Sequence, residues 1–169
     1  MKTRFITITA VMTALIALLT RVIQIPTPIT RGYLNPGDIL VLLSGFLFGP
    51  RPGFFAGGLG SMIADILTGY PFFYVTFIVK GLEGAVPGLS IWRYNPWLSR
   101  WNNLLRLLVG AIPAALVMAG GYFLFQWLIF GWAAATAAFL PNILQGDFGI
   151  VGTLLIYSAL DPVFKRWKI

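Results

Sequence analysis

Apolar runs follow one another through this chain with so little between them that most of it has to lie in lipid. Between Phe5 and Phe164 they are broken mainly by short clusters of proline, glycine, arginine and tryptophan. Inside a bilayer no water is present to bond stray N–H and C=O groups, so each spanning backbone must satisfy itself, as a helix does. Composition agrees: 58% of the 169 residues are hydrophobic and 10% charged, against about 25% charged in a soluble domain. Mean hydropathy is +0.84. At about 20 residues per span, residues 1–169 have room for one integral membrane domain of five or six helices, with no soluble domain beside it.

Met1-Lys2-Thr3-Arg4 and the apolar run to Leu19 resemble a signal peptide, but no small-residue cleavage site follows. The run is read as helix 1, ended by Pro26 and Pro28. Residues 25–37 form a polar loop carrying Arg31, Tyr33 and Asn35. Helix 2, from Pro36 or Gly37 to Gly49, is short for a span and reads as thin or partly sheltered. Pro50-Arg51-Pro52 reads as a tight turn, helix 3 as 53–68, helix 4 as about 73–92 and helix 5 as about 103–129. Residues 130–139 have no clear pattern, and a last helix runs from about Pro141 to Phe164. The segment from Arg93 to Asn103, with Pro96, Trp97 and Trp101, has the composition of a membrane interface.

Basic residues set the orientation. With six spans, nine of the 12 Lys and Arg residues fall on the side of the N-terminus and two, Arg21 and Arg31, on the other; Lys80 is the remaining one. The positive-inside rule then puts both termini in the cytoplasm, and with no secretory or organellar address visible a bacterial plasma membrane is the expected location. These cations alternate with apolar runs and form no basic face, so nucleic acid is not an expected partner.

Polar side chains inside the runs are the functional signal. A charge at bilayer depth costs about 2.5–3.5 kcal/mol on insertion scales and faces a partner or a water-filled cavity. Lys80 and Glu83, at i, i+3 on helix 4, share a face. They lie roughly 12 and 16 Å below the outer end of their helix at 1.5 Å per residue. Asp65 ends helix 3 at similar or shallower depth, and Asn142 and Gln145 repeat the i, i+3 spacing on the last helix, with Gly149 extending the stripe. Two readings fit. One is a self-neutralising network, with Lys80 paired to Glu83 or Asp65; the other is a pocket that turns the same groups toward a ligand. Tyr70, Phe72, Phe73 and Tyr74 at the outer mouth, with Tyr33 above, suit a flat ring, although interfacial aromatic belts have the same composition.

Gly53-x-x-x-Gly57-x-x-x-Ser61 and Gly84-x-x-x-Gly88 permit close helix contact, as does Ala10-x-x-x-Ala14 more weakly. Cysteine and histidine are absent, which removes thiolate and imidazole metal sites, Cys nucleophiles and Ser-His chemistry. No phosphate loop or cofactor motif is present. An enzyme is therefore not expected, and neither a metal nor a cofactor.

Taken together, Tyr33-Leu34-Asn35-Pro36-Gly37-Asp38, Leu47-Phe48-Gly49-Pro50, Gly57-Gly58-Leu59-Gly60-Ser61-x-x-Ala64-Asp65, Gly69-Tyr70-Pro71, Lys80-Gly81-Leu82-Glu83-Gly84 and Pro141-Asn142-x-x-Gln145-Gly146 resemble the substrate-binding S components of energy-coupling factor (ECF) vitamin transporters. The likeness is to the riboflavin-type branch and covers nearly the whole chain. It implies an all-α fold of six transmembrane helices with cytoplasmic termini. It also implies an outer-half pocket covered by the loop after helix 1, and uptake of a water-soluble vitamin or precursor of the riboflavin, pyridoxine or hydroxymethylpyrimidine class. By the same resemblance Ala10 and Ala14 dock on a transmembrane coupling subunit, and two ATPase subunits supply the energy. Tyr33, Asn35, Asp65, Tyr74, Lys80, Glu83, Asn142 and Gln145 are the candidate ligand contacts. The competing expectation is a self-sufficient channel or exchanger using an Asp65/Lys80/Glu83 path.

Overall fold

The computed structural model describes residues 2–27, 32–91 and 103–167. The expected interfacial segment with Pro96, Trp97 and Trp101 lies outside them, as do Pro28, Arg31, Arg93 and Arg100. Six helices appear among the described residues: α1 (Lys2–Val22), α2 (Gly37–Phe48), α3 (Pro50–Thr68), α4 (Phe73–Ile91), α5 (Asn103–Phe130) and α6 (Trp132–Trp167). Between α1 and α2 the expected loop is instead an antiparallel hairpin of β1 (Ile25–Thr27) and β2 (Gly32–Leu34), with Pro26 opposite Tyr33.

Helix α2 is the hub, touching α1, α3, α4, α5 and α6. Its 12 residues give about 18 Å of helix, too little for a 30 Å hydrocarbon core. It survives because it is surrounded. Val41, Leu42, Leu43 and Phe46 are buried, as expected of a helix apolar on all sides. Leu42 and Phe46 pack on Leu107, Ala111 and Ala114 of α5; Val41 packs on Met12 and Ile16 of α1 and Ala56 of α3. By length and composition α1, α5 and α6 can cross a membrane, over Lys2–Val22, Leu104–Phe130 and Trp132–Leu160.

Lipid tails are as apolar as the side chains, so close packing and interhelical hydrogen bonds must hold such helices together. Glycine supplies the packing. A Cβ on Gly53 would sit 2.1 Å from the Gly84 carbonyl oxygen, and one on Gly45 2.2 Å from the same atom. Helices α2, α3 and α4 thus meet backbone to backbone, which is the intramolecular role expected of these glycines.

Two helix limits differ from expectation for local reasons. Gly49 takes φ 95° and makes the turn alone, so Pro50 and Pro52 fall in the first turn of α3, where a missing N–H costs nothing. Gly131, at φ 85°, reverses the chain between α5 and α6. The ambiguous 130–139 stretch is therefore mostly the start of α6, which passes through Pro141 without ending.

Candidate functional site

Helix α1, the hairpin, α3, α4, α5 and α6 line a half-open cavity of about 70 Å³. Tyr33, Leu34 and Asn35 line it from the hairpin side, Ser61 and Asp65 from α3, and Thr76 and Lys80 from α4. Tyr122 and Gln126 contribute from α5, Asn142 and Gln145 from α6, with Thr20 and Tyr70 at the margins. Of the candidate contacts, Tyr33, Asn35, Asp65, Lys80, Asn142 and Gln145 thus meet at one place. Glu83 and Tyr74 do not. Glu83 sits behind Lys80 with no exposure at all, while Tyr74 is 52% exposed, its ring edge-on to Phe72 and Phe73.

One wall of the cavity is an ionic cluster. The Lys80 ammonium pairs with Asp38 at the start of α2 and donates to Glu83 Oε2 at 2.9 Å. Gln145 Nε2 donates to the other Asp38 oxygen at 2.8 Å, and its Oε1 accepts the Asn35 N–H at 3.2 Å. Asn35 Oδ1 in turn accepts the Gly37 N–H at 2.8 Å, occupying an otherwise free donor in the first turn of α2. Asp38 lies at the same helix terminus, where the dipole favours negative charge. The lysine thus binds Asp38 as well as the expected Glu83, and Asp65 is not its ion-pair partner. Gly149 belongs to the same construction: a Cβ there would come within 2.9 Å of Asp38 Cβ, so its smallness lets α6 approach α2.

The rest of the lining is less complete. The Tyr33 hydroxyl donates to Asp65 Oδ1, and the Tyr122 hydroxyl donates to Thr76 Oγ1 at 3.3 Å. Lys80 Nζ stands 5.9 Å from the Tyr122 ring centre, within cation–π range. Burial pushes the Tyr33 phenol well above its ordinary range, and the Asp65 carboxylate beside it adds to the shift. Tyr70, in the turn after α3, is pushed up to about 12 by burial first and by Asp65 second.

Thr76, Tyr122 and Gln126 line the cavity and Asp38 joins the ionic cluster beside it, and the sequence reading assigned none of the four. Each carried a legible signal. Asp38 is the lone acid in the apolar run of α2, Thr76 lies one turn before Lys80, and Tyr122 and Gln126 repeat at i, i+4 within an apolar helix.

The sequence matches the family model for the S component of ECF-type riboflavin transporters over residues 1–162. The chain belongs to this family. An uncharacterised protein of Pyrococcus woesei is 38% identical over 149 residues, covering 87% of this chain and 92% of its own. The thiamine precursor transporter HmpT of Lactococcus lactis subsp. cremoris is 33% identical over 166 residues, 97% of this chain and 89% of its own. A solved S component of a bacterial ECF transporter superposes with TM-score 0.74, over 98% of this chain and 100% of that one, at 19% identity. The fold is therefore the all-α S-component fold. This S component is a multi-pass plasma-membrane protein and a substrate-binding subunit for vitamin or vitamin-precursor uptake. S components work with a coupling subunit and ATPases; the family is one of transporter subunits rather than of enzymes.

Proposed function

We propose that this S component, acting over its whole length as one binding unit, takes a planar vitamin or precursor ring into the cavity between the hairpin and helices α3 to α6. The observation that carries this reading is the convergence of polar side chains from six elements on one space. In lipid-embedded helices such groups are costly unless they serve one another or a guest. The Lys80–Asp38–Glu83 cluster serves itself; Asp65, Asn142 and Tyr122 face the space. Lys80 contributes a charged floor, and Glu83 acts through Lys80 rather than by touching the ligand.

Both termini are assigned to the cytoplasm from the distribution of Lys and Arg, which opens the cavity to the outside. Ala10 and Ala14 are exposed on α1, next to the exposed Ile6 and Val11. Small residues on an otherwise apolar outer face suit close helix contact, here with the coupling subunit, two ATPase subunits completing the importer. The family name and the HmpT relative point to different vitamins, so the ligand is to be read from the site. Mass spectrometry of small molecules co-purifying with the protein, followed by calorimetry, tests the reading. One tightly bound heterocycle per chain, lost in Asn142→Ala, is expected. Binding that ignores Asn142, Gln145 and Asp65 together would refute this placement. Uptake into liposomes should require the added ATPase and coupling subunits; flux through this chain alone would favour a channel.

A further inference from the structure

Asp65 is a buried acid with half of its bonding done. Its Oδ1 holds the Tyr33 hydroxyl, while Oδ2 is buried and makes no hydrogen bond within 3.5 Å, the Thr76 hydroxyl being the protein donor that stands near it. The residue is 4% exposed and lines the cavity. Leaving a buried acceptor bare is costly, and more so when it is charged. Glu83 also has a free oxygen, but it does not line the cavity. At Asp65 the missing donor has a place from which to come.

Charge and volume narrow what that donor belongs to. Lys80, the ammonium at the cavity, is taken by Asp38 and Glu83, so Asp65 faces the space without a cation of its own. A ligand carrying N–H donors fits this better than one presenting only oxygens. The cavity is small, about 70 Å³, and open on one side, so a single six-membered ring can set its polar edge at Asp65 with its substituents toward the opening.

We propose that Asp65 selects the ligand: its Oδ2 accepts a hydrogen bond from an amino group of a single-ring nitrogen heterocycle, while its Oδ1 keeps hold of Tyr33. One carboxylate then both recognises the ring and fastens the hairpin against it. This rests on the cavity being the substrate site.

The test is calorimetry on the purified full chain with matched pairs: 4-amino-5-hydroxymethyl-2-methylpyrimidine and its 4-methoxy counterpart, pyridoxamine and pyridoxine, with riboflavin as the large ligand. At least one amine-bearing ring should bind tenfold or more tighter than its oxygen counterpart. Asp65→Asn can still accept from Tyr33 but can offer an amide donor to the ligand, so that ratio should collapse. Tyr33→Phe should weaken both members of the pair equally and leave the ratio intact. If Asp65→Asn does not fold, the ratio in the unsubstituted protein decides. Equal binding within pairs, no binding of any amine-bearing ring, or an unchanged ratio in Asp65→Asn overturns the assignment. Tight riboflavin binding that depends on Asn142 but not on Asp65 would overturn it while leaving the site in place. Indifference to Asn142, Gln145 and Asp65 alike would remove the site as well.

Discussion

Replacing Lys80 with methionine keeps the length of the side chain and removes its charge. Lys80 is 4% exposed, Asp38 1% and Glu83 0%, so the substitution strands two carboxylates, previously joined through one ammonium, in a place water does not reach. Breaking a buried ion pair from one side costs about 3–5 kcal/mol, mostly because the remaining charge is uncompensated. For a chain of this size each kcal/mol moves the melting temperature by about 2–4 °C, so the loss should be roughly 6–20 °C. The assay is thermal unfolding in detergent, followed by intrinsic tryptophan fluorescence. The informative control is the neutral triple variant Asp38→Asn/Lys80→Met/Glu83→Gln. It keeps the volume and the Gln145 contact but has no charge in the cluster, and should recover more than half of the loss. A Lys80→Met protein that melts with the parent, or a triple variant as unstable as the single one, would show that charge balance is not what ties α2 to α4. Any loss of ligand binding in Lys80→Met should accompany this destabilisation, because the ammonium is already engaged.

The glycine contacts give a second prediction. A Cβ on Gly84 would stand 2.3 Å from the Gly53 carbonyl oxygen, and backbone cannot rotate away, so Gly84→Ala should cost about 1–3 kcal/mol as overpacking. Gly120→Ala, with nothing within 4 Å, is the matched neutral change; equal melting of the two would refute the packing argument. Ala14→Trp should leave ligand binding unaltered and abolish co-purification with the coupling subunit, and a stable complex would release α1 from that role. The raised Tyr70 phenol favours the folded protein while neutral, so its contribution is intact below pH 10 and lost as pH climbs to about 12. Tyr70→Phe should flatten the fall in stability across that window and delete one phenolate step from the ultraviolet titration.

Much of this was legible in the sequence, and what escaped did so for specific reasons. Both ends of α2, the start of α4 and the end of α5 follow from glycine, proline and the apolar pattern almost to the residue. The hairpin was missed because three-residue strands with proline in one of them show no alternation to read. The start of α6 was missed because a turn of one glycine leaves no polar gap between two apolar helices. Within the site, Lys80, Asp65 and Gln145 were conspicuous as polar residues in greasy surroundings. Asp38 was visible too, but in a motif that reads as a helix start, and nothing local says that a residue 42 positions later will pair with it. Tyr74 was taken for the site on its neighbours alone, and helix phase turns it outward instead.

Backbones that touch at glycine have no side chains left to reshuffle. The α2–α3–α4 contact is therefore a stiff slab, and the give that admits a guest has to come from somewhere else. The β1–β2 hairpin is held to the slab and to α6 by the Tyr33–Asp65 and Asn35–Gln145 hydrogen bonds. All four residues of these two latches also line the cavity, so a change at either latch alters the hold on the hairpin and the lining together.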